Sequence, residues 1–484
     1  MLAYLAWRHN LDRFDLALAV NRLAARGAAT WWLAAAGPDN EPGDYLCETT
    51  GDAVDRLAGF GIRAEPWAGA VPDGALPLAY PRIALLAGRS SAYPYFAYYA
   101  MALARLGFDF QLVDGAAIAA GELRSHDLLI MPTGFALWGL DAAEEVCGAD
   151  DQLRLFLADG GAAVASGGGA FYLSAGRPAW TGTARVRPYH THEYLNSGVG
   201  IVSLRLGPDS IGFGCPPTLE MPYFHGPIYD EVDRSVSSAG VFDRLVMPGH
   251  LFIPNPLDDE VFARDMAGRT AILRAEGRRG RAVLFSADPE MGDLVRKYIA
   301  FDGYVARYLP IRGEAVMAET LRHYRVLEAP CFRLILNAIH SLMLRARLPA
   351  GPPLPFIPIP RKAPAPGLVA ALDRALDHFT VREDEPRHGL AELLRQDLRA
   401  RLDQLAERLA DTMASLLPLP GPALAIRYLW TDCERAAVAG VGRSDDPARP
   451  RSLAESFADI ETGIALLEAW CRLAEADAHF AVHS

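Results

Sequence analysis

Between Arg82 and Tyr172 the chain repeats one hydropathy pattern: a short unbroken apolar block, a turn marked by glycine or proline, and a stretch of helical length. Ile83–Ala87, Phe108–Val113, Asp127–Met131 and Ala162–Ser166 read as strands, and Phe96–Leu106 and Asp151–Ala158 as helices between them. Strands with no polar alternation, joined by helical crossovers, predict a parallel sheet covered on both faces. The last strand runs straight into Gly167-Gly168-Gly169-Ala170-Phe171-Tyr172. Glycine permits positive φ and close backbone approach, so this stretch reads as a strand, a sharp turn and a helix start. Ligands in such sheets sit at the carboxyl ends of strands, which puts Gly134, Ser166, Gly167 and Gly168 on one rim.

Before this region, Leu2–Trp7 reads as a strand, Leu11–Arg26 as a helix stopped by Gly27, Ala29–Ala35 as a second apolar run and Asp52–Phe60 as a short helix. They predict a small α/β unit over residues 1–79, with Ala70–Pro77 separating it from the strands that begin at Arg82. Beyond Gly182 the signal is β-rich: Gly200–Leu206, Met221–Phe224, Thr270–Ala275 and Arg281–Phe285 are strand candidates, and a helical run trails from Ala315 to about Arg347. The main domain therefore spans 80–348. Eight prolines between Pro349 and Pro366 mark a stiff linker over 349–366. Residues 367–484 read as a helical bundle. Leu394, Leu398, Leu402, Leu405 and Leu409 form a helical stripe, and Ser452 with Glu455 makes a capping box before a helix carrying Phe457, Ile460, Ile464, Leu467 and Trp470.

The formal net charge of −12 disfavours nucleic acid or an anionic membrane as partner, since phosphate binding needs a basic face. The six cysteines are scattered, without metal-type spacing, which suits a reducing cytoplasm. No apolar run approaches the ~20 residues of a membrane span. A cytoplasmic protein is expected, with no cofactor. The helical tail is the expected site of a protein partner or of homo-oligomerisation.

The span from about Arg82 to Tyr308 resembles the class I glutamine amidotransferase fold, most of all the small domains found at the N-terminus of some biotin–protein ligases and beside some zinc carboxypeptidases. In that family an elbow of the type Gly-x-Cys-Ala-Gly-Ala-Tyr carries the nucleophile, and the matching residues are Ala165-Ser166-Gly167-Gly168-Gly169-Ala170-Phe171. A later family strand ends in His-Pro-Glu; here Arg281–Phe285 leads into Asp288-Pro289-Glu290. Tyr223-Phe224-His225-Gly226-Pro227 looks like the family's aromatic-x-Gly-Pro turn. The resemblance implies an α/β fold with a flavodoxin-like, doubly wound, mostly parallel sheet over that span; the small N-terminal unit and the C-terminal bundle lie outside it. It also implies lost chemistry. Gly167 stands where the family has its cysteine and Asp288 where it has its histidine; only Glu290 matches. Glutamine hydrolysis needs a thiolate and an imidazole.

Two functional classes remain open on this reading. One is a pseudoenzyme, a scaffold or regulatory subunit whose vestigial site, lined by Gly134, Ser166, Gly167, Gly168, Tyr223, His225, Asp288 and Glu290, binds a small ligand or partner. In that case the missing side chain at Gly167 leaves a pocket. The other is a hydrolase of altered mechanism acting on peptide or amide bonds, with Ser166 as a displaced nucleophile or with His225 beside the two carboxyls. The run His190-Thr191-His192-Glu193 has spacing compatible with a metal that would assist it. The aromatic cluster Tyr93, Tyr95, Phe96, Tyr98 and Tyr99 is a further candidate pocket lining.

Overall fold

The computed structural model of the protein describes residues 1–38, 40–134, 140, 148–177, 180–189, 198–233, 235–249, 255–277, 280–344, 365–378, 387–415 and 453–481. Two larger sheets organise them. The first is antiparallel and N-terminal: β1 (Leu2–Leu5), β2 (Thr30–Leu33), β3 (Tyr45–Glu48), β4 (Glu65–Trp67) and β5 (Ala75–Pro77), in the order β4-β1-β3-β2-β5. The separator expected over Ala70–Pro77 thus ends in a strand. Pro77 lies opposite Trp31 on the sheet's edge, where a missing N–H is tolerated.

The second sheet has nine strands in the order β12-β11-β14-β15-β16-β9-β8-β6-β7. Its strands are β6 (Ile83–Leu86), β7 (Phe110–Val113), β8 (Leu128–Met131), β9 (Ala162–Ser166), β11 (Val199–Leu206), β12 (Thr218–Phe224), β14 (Val236–Pro248), β15 (Thr270–Gly277) and β16 (Gly280–Phe285). The pair β10 (Val186–Pro188) and β13 (Tyr229–Val232) stands apart. Strands β7-β6-β8-β9-β16 are parallel and follow the flavodoxin-type order 2-1-3-4-5, whose switch point lies between β6 and β8. The remaining pairings, β12-β11-β14-β15-β16, are antiparallel. The α/β, doubly wound reading stands. The sheet is mixed, however, with as many antiparallel as parallel neighbours, because strands linked as hairpins extend it beyond β16.

The expected linker ends earlier than composition suggests. A helix begins at Ala365 and runs to His378, and the rest of the proline-rich stretch lies outside the described residues, as does Ser452 of the capping box. The helices His388–Ser415 and Leu453–Phe480 are present. The last one packs along the Tyr95–Arg105 helix and joins the core that contains Phe96, Tyr99 and Tyr298. Lys297, one of the chain's two lysines, pairs with Glu461 of that helix at 2.6 Å with both side chains buried, and Arg22 reaches Asp477 at 2.7 Å. A proline-rich composition reports a stiff segment, not whether the helix after it folds back. No helix among the described residues is long and apolar enough to cross a membrane.

Candidate functional site

Register fixes the elbow. Ala165 of β9 lies beside Met131 of β8, and Ser166 beside Phe285 of β16. The helix Gly167–Leu173 starts at the next residue, with Gly167 at φ 45°. A Cβ on Gly167 would collide with the Thr133 hydroxyl and lie 3.0 Å from Thr133 Cβ. One on Gly168 would run into the Gly134 carbonyl, and one on Gly169 would sit 2.7 Å from Met131 Cβ. The three glycines are needed because the helix start rides directly on the turn after β8. The pocket expected above Gly167 is therefore not formed: Thr133 fills that space.

Thr133 does so as part of a buried network. Ser166, Asp288 and Glu290 are each 0% exposed. Tyr99 OH lies 2.6 Å from Ser166 Oγ, which donates to Glu290 Oε2 at 2.8 Å. Thr133 Oγ1 donates to Asp288 Oδ1 and lies 3.4 Å from Glu290 Oε1. The Phe224 N–H donates to Asp288 Oδ2 at 2.7 Å, and the Asp288 N–H returns to the Pro222 carbonyl at 2.9 Å, so the end of β12 closes over the pair. Ser91 Oγ donates to the Thr133 carbonyl at 3.1 Å and holds that turn from the β6 side.

Burial pushes the Asp288 carboxyl up to about 7. Burial first, and then the neighbouring Asp288, holds Glu290 well above the carboxylate range. Proton counting agrees. Thr133 has one hydroxyl hydrogen and faces an oxygen of each carboxyl, so one carboxyl must bring its own proton. Once Asp288 has lost its proton, the arrangement that satisfies every group runs Tyr99 to Ser166 to Glu290, and protonated Glu290 to Thr133 to Asp288. The pair titrates as a unit. Tyr99 and Thr133 are essential members. The sequence pattern offers Tyr99 only as a pocket lining and does not single out Thr133 at all.

His225 does not join this cluster. Its backbone sits at φ 52°, its Nδ1 accepts from the Gly198 N–H at 3.3 Å, and its Nε2 is buried with no hydrogen-bond partner among the described residues. Burial lowers its pKa to about 4, so it is neutral; a paired carboxylate would raise it instead. The expectation that His225 stands beside the two carboxyls is therefore not met. Tyr223 is buried and donates to the Gly226 carbonyl at 2.8 Å, which holds the turn. His190, His192 and Glu193 lie outside the described residues, and among those described no group of three or more His, Cys, Asp or Glu is placed to hold a metal ion. A cavity of about 320 Å³ opens elsewhere, beside β1, between Met1, Gly51, Asp55 and Glu65.

No protein-family model matches the chain, and no curated protein matches it. Solved structures similar to it include a putative GMP synthase subunit from Thermoplasma acidophilum, with 13% identity over 43% of this chain and 85% of that one, and a TM-score of 0.30. A glutamine amidotransferase shows 17% identity over 43% of this chain and 90% of that one, with a TM-score of 0.29. A cytoplasmic protein from Salmonella typhimurium LT2 shows 11% identity over 54% of this chain and 99% of that one, with a TM-score of 0.31. At TM-scores near 0.3 these likenesses say nothing of activity.

Proposed function

We propose that this protein is non-catalytic at its elbow and acts as a scaffold or accessory subunit, in which the position of an amidotransferase nucleophile is rebuilt as a structural hydrogen-bond network. The observation that carries this reading is the sealed, fully paired state of Ser166, Asp288 and Glu290 under Thr133. A nucleophile needs an open approach and a base that can take its proton. The Ser166 hydroxyl has Tyr99 on one side and Glu290 on the other, and burial keeps that carboxyl in its acid form. The hydrolase alternative gains no support from His225, which is neutral and turned to Gly198.

Assembly through the C-terminal helices belongs to the proposal in narrowed form. The Leu453–Phe480 helix and the inner faces of Ala365–His378 and His388–Ser415, with Leu372, Leu376, Leu394, Leu398, Leu402 and Leu405, are taken up by the chain's own core, so a partner or a second copy would meet the outward faces of the latter two. A cytoplasmic setting fits the scattered free thiols of Cys47, Cys215 and Cys331. The test is incubation with glutamine and an enzyme-coupled ammonia assay. The expected result is release no faster than without protein. Turnover that disappears in both Ser166→Ala and Glu290→Gln would overturn the reading.

A further inference from the structure

The last helix, Leu453–Phe480, rests on two supports, and both are tied to the buried acid pair. The first is the helix Tyr95–Arg105, along which it packs. Tyr93, just before that support, donates its hydroxyl to the Asp459 carbonyl, and Tyr99 on it meets Ser166 Oγ at 2.6 Å. The second support is the helix Gly292–Ala300, which starts two residues after Glu290. Its Tyr298 stacks on Phe457 with ring centroids 6.2 Å apart and donates to Glu461, beside the Lys297–Glu461 pair. The short turn Pro289–Met291, which carries Glu290, touches the first support as well. That turn has little slack. A Cβ on Gly292 would lie 2.8 Å from Ala329 Cβ, and the Cys331 thiol donates to the Pro289 carbonyl at 3.3 Å. Close-packed interiors transmit strain rather than absorb it.

The acids have no counter-charge. The hydroxyls of Thr133 and Ser166 and the Phe224 N–H face them, and no cation among the described residues pairs with either. The ionisable groups nearby are Tyr99 and the Cys331 thiol, and burial holds both far above their ordinary values, so neither titrates with the pair. His225, next to Phe224, is turned to Gly198. Ionisation therefore leaves an uncompensated charge in the core, and any motion that admits water relieves it. An opening that hydrates the pair restores an ordinary carboxyl, so it becomes easier as pH rises. Burial pushes Asp288 up to about 7 from an ordinary 3.8, which sets the window. The last helix carries its own charges. Burial would raise Glu461, but Lys297 and then Arg401 hold it down to about 2. Glu468 pairs with Arg401, Arg472 with Asp15, and Asp477 with Arg22. His479 Nε2 lies 2.7 Å from the Arg56 carbonyl.

We propose that docking of the last helix is proton-linked through the elbow: the helix is held while the Asp288–Glu290 pair keeps its protons, and it loosens from the core as the pair ionises. The pH then governs how much of the surface under Leu453–Phe480 is open, although no residue of the pair touches that helix through a hydrogen bond of its own. The link runs through Tyr99 on one side and through the chain from Glu290 to Lys297 and Tyr298 on the other.

The test uses the full-length protein and three of its buried thiols: Cys471 on the last helix, Cys331 beside the Pro289 turn, and Cys47 in β3 of the N-terminal sheet. The protein is exposed for timed intervals to methyl methanethiosulfonate, from about pH 5 to about pH 8, and modification is located by peptide mass mapping. Taking Cys471 relative to Cys47 cancels the reagent's own pH dependence and any unfolding of the whole chain. That ratio should rise about tenfold or more across the range in the parent, with Cys331 rising alongside. It should stay flat in Asp288→Asn and rise undiminished in His479→Gln, which removes the histidine of that helix. A flat ratio in the parent overturns the proposal, as does a rise that persists in Asp288→Asn or vanishes in His479→Gln. So does labelling of Cys47 and Cys471 in step, which is global unfolding. The parent and His479→Gln decide the matter even if Asp288→Asn does not fold.

Discussion

Replacing Asp288 by asparagine should make the protein less sensitive to alkali, not less stable. In the folded state Asp288 binds its proton up to about 7, against an ordinary value near 3.8, because it is buried. Glu290, coupled to it, is raised as well. Between about pH 4 and about pH 7 the folded state therefore holds more protons than the unfolded one. Stability then falls as pH rises through this window, by roughly 1 kcal/mol per pH unit for each proton, and the loss is complete above the folded pKa. Asparagine is near in shape. Its oxygen keeps the Phe224 N–H bond, and its amide nitrogen donates to Thr133, which then donates to Glu290. It carries no proton to lose. Urea unfolding of both proteins should be compared at steps from about pH 5 to about pH 8. The stability of Asp288→Asn relative to the parent should climb by roughly 2 kcal/mol or more across that range, with the gain at the alkaline end. Titrating groups outside the Asp288–Glu290 pair, including the neutral buried His225 and His340, cancel in the difference. A difference that stays flat with pH would refute the buried-proton account, and one that falls would reverse its sign.

Gly167→Ala should destabilise the fold by about 1–3 kcal/mol in urea titration, since it combines a left-handed backbone with a collision against Thr133; an unchanged midpoint would mean that the turn is not built as described. Lys297→Met leaves Glu461 buried with Arg401 as its remaining cationic partner, and should cost about 2–4 kcal/mol. Glu461 is held down to about 2 by Lys297 and then Arg401, against the pull of burial, so in the parent its contribution should persist above about pH 5 and fade only as pH falls toward 2.

The parallel half of the main sheet was legible because its central strands are short, unbroken and buried on both faces. Ile83–Leu86, Leu128–Met131 and Ala162–Ser166 contain no exposed position to confuse the reading. β14 fails that criterion. It is 13 residues long, is interrupted by Ser237-Ser238 and Asp243-Arg244, and has irregular pairing at Ser238/Gly240 and Gly240/Val241. Bulges of this kind hide the period of two from any local pattern. β3 and β5 are stabilised by neighbours distant in sequence, and so is the placement of the last helix. Its apolar positions were visible, but only the partners Lys297, Arg22 and Tyr99 decide that they meet the main core.

The elbow shows how a motif can be read correctly as geometry and wrongly as space. Three glycines do imply a tight strand-to-helix turn. Whether the volume over the first of them stays open depends on residue 133, which follows another strand and belongs to no motif. A threonine there both fills the volume and sets a hydroxyl between Asp288 and Glu290. The absent side chain at 167, the carboxyl at 288 and the hydroxyl at 133 are therefore one coupled arrangement. A cysteine at 167 would have to displace Thr133, would break the link between the two acids, and would then face a buried carboxyl rather than an imidazole. On the function proposed above, a cysteine placed there alone removes structure without supplying a base.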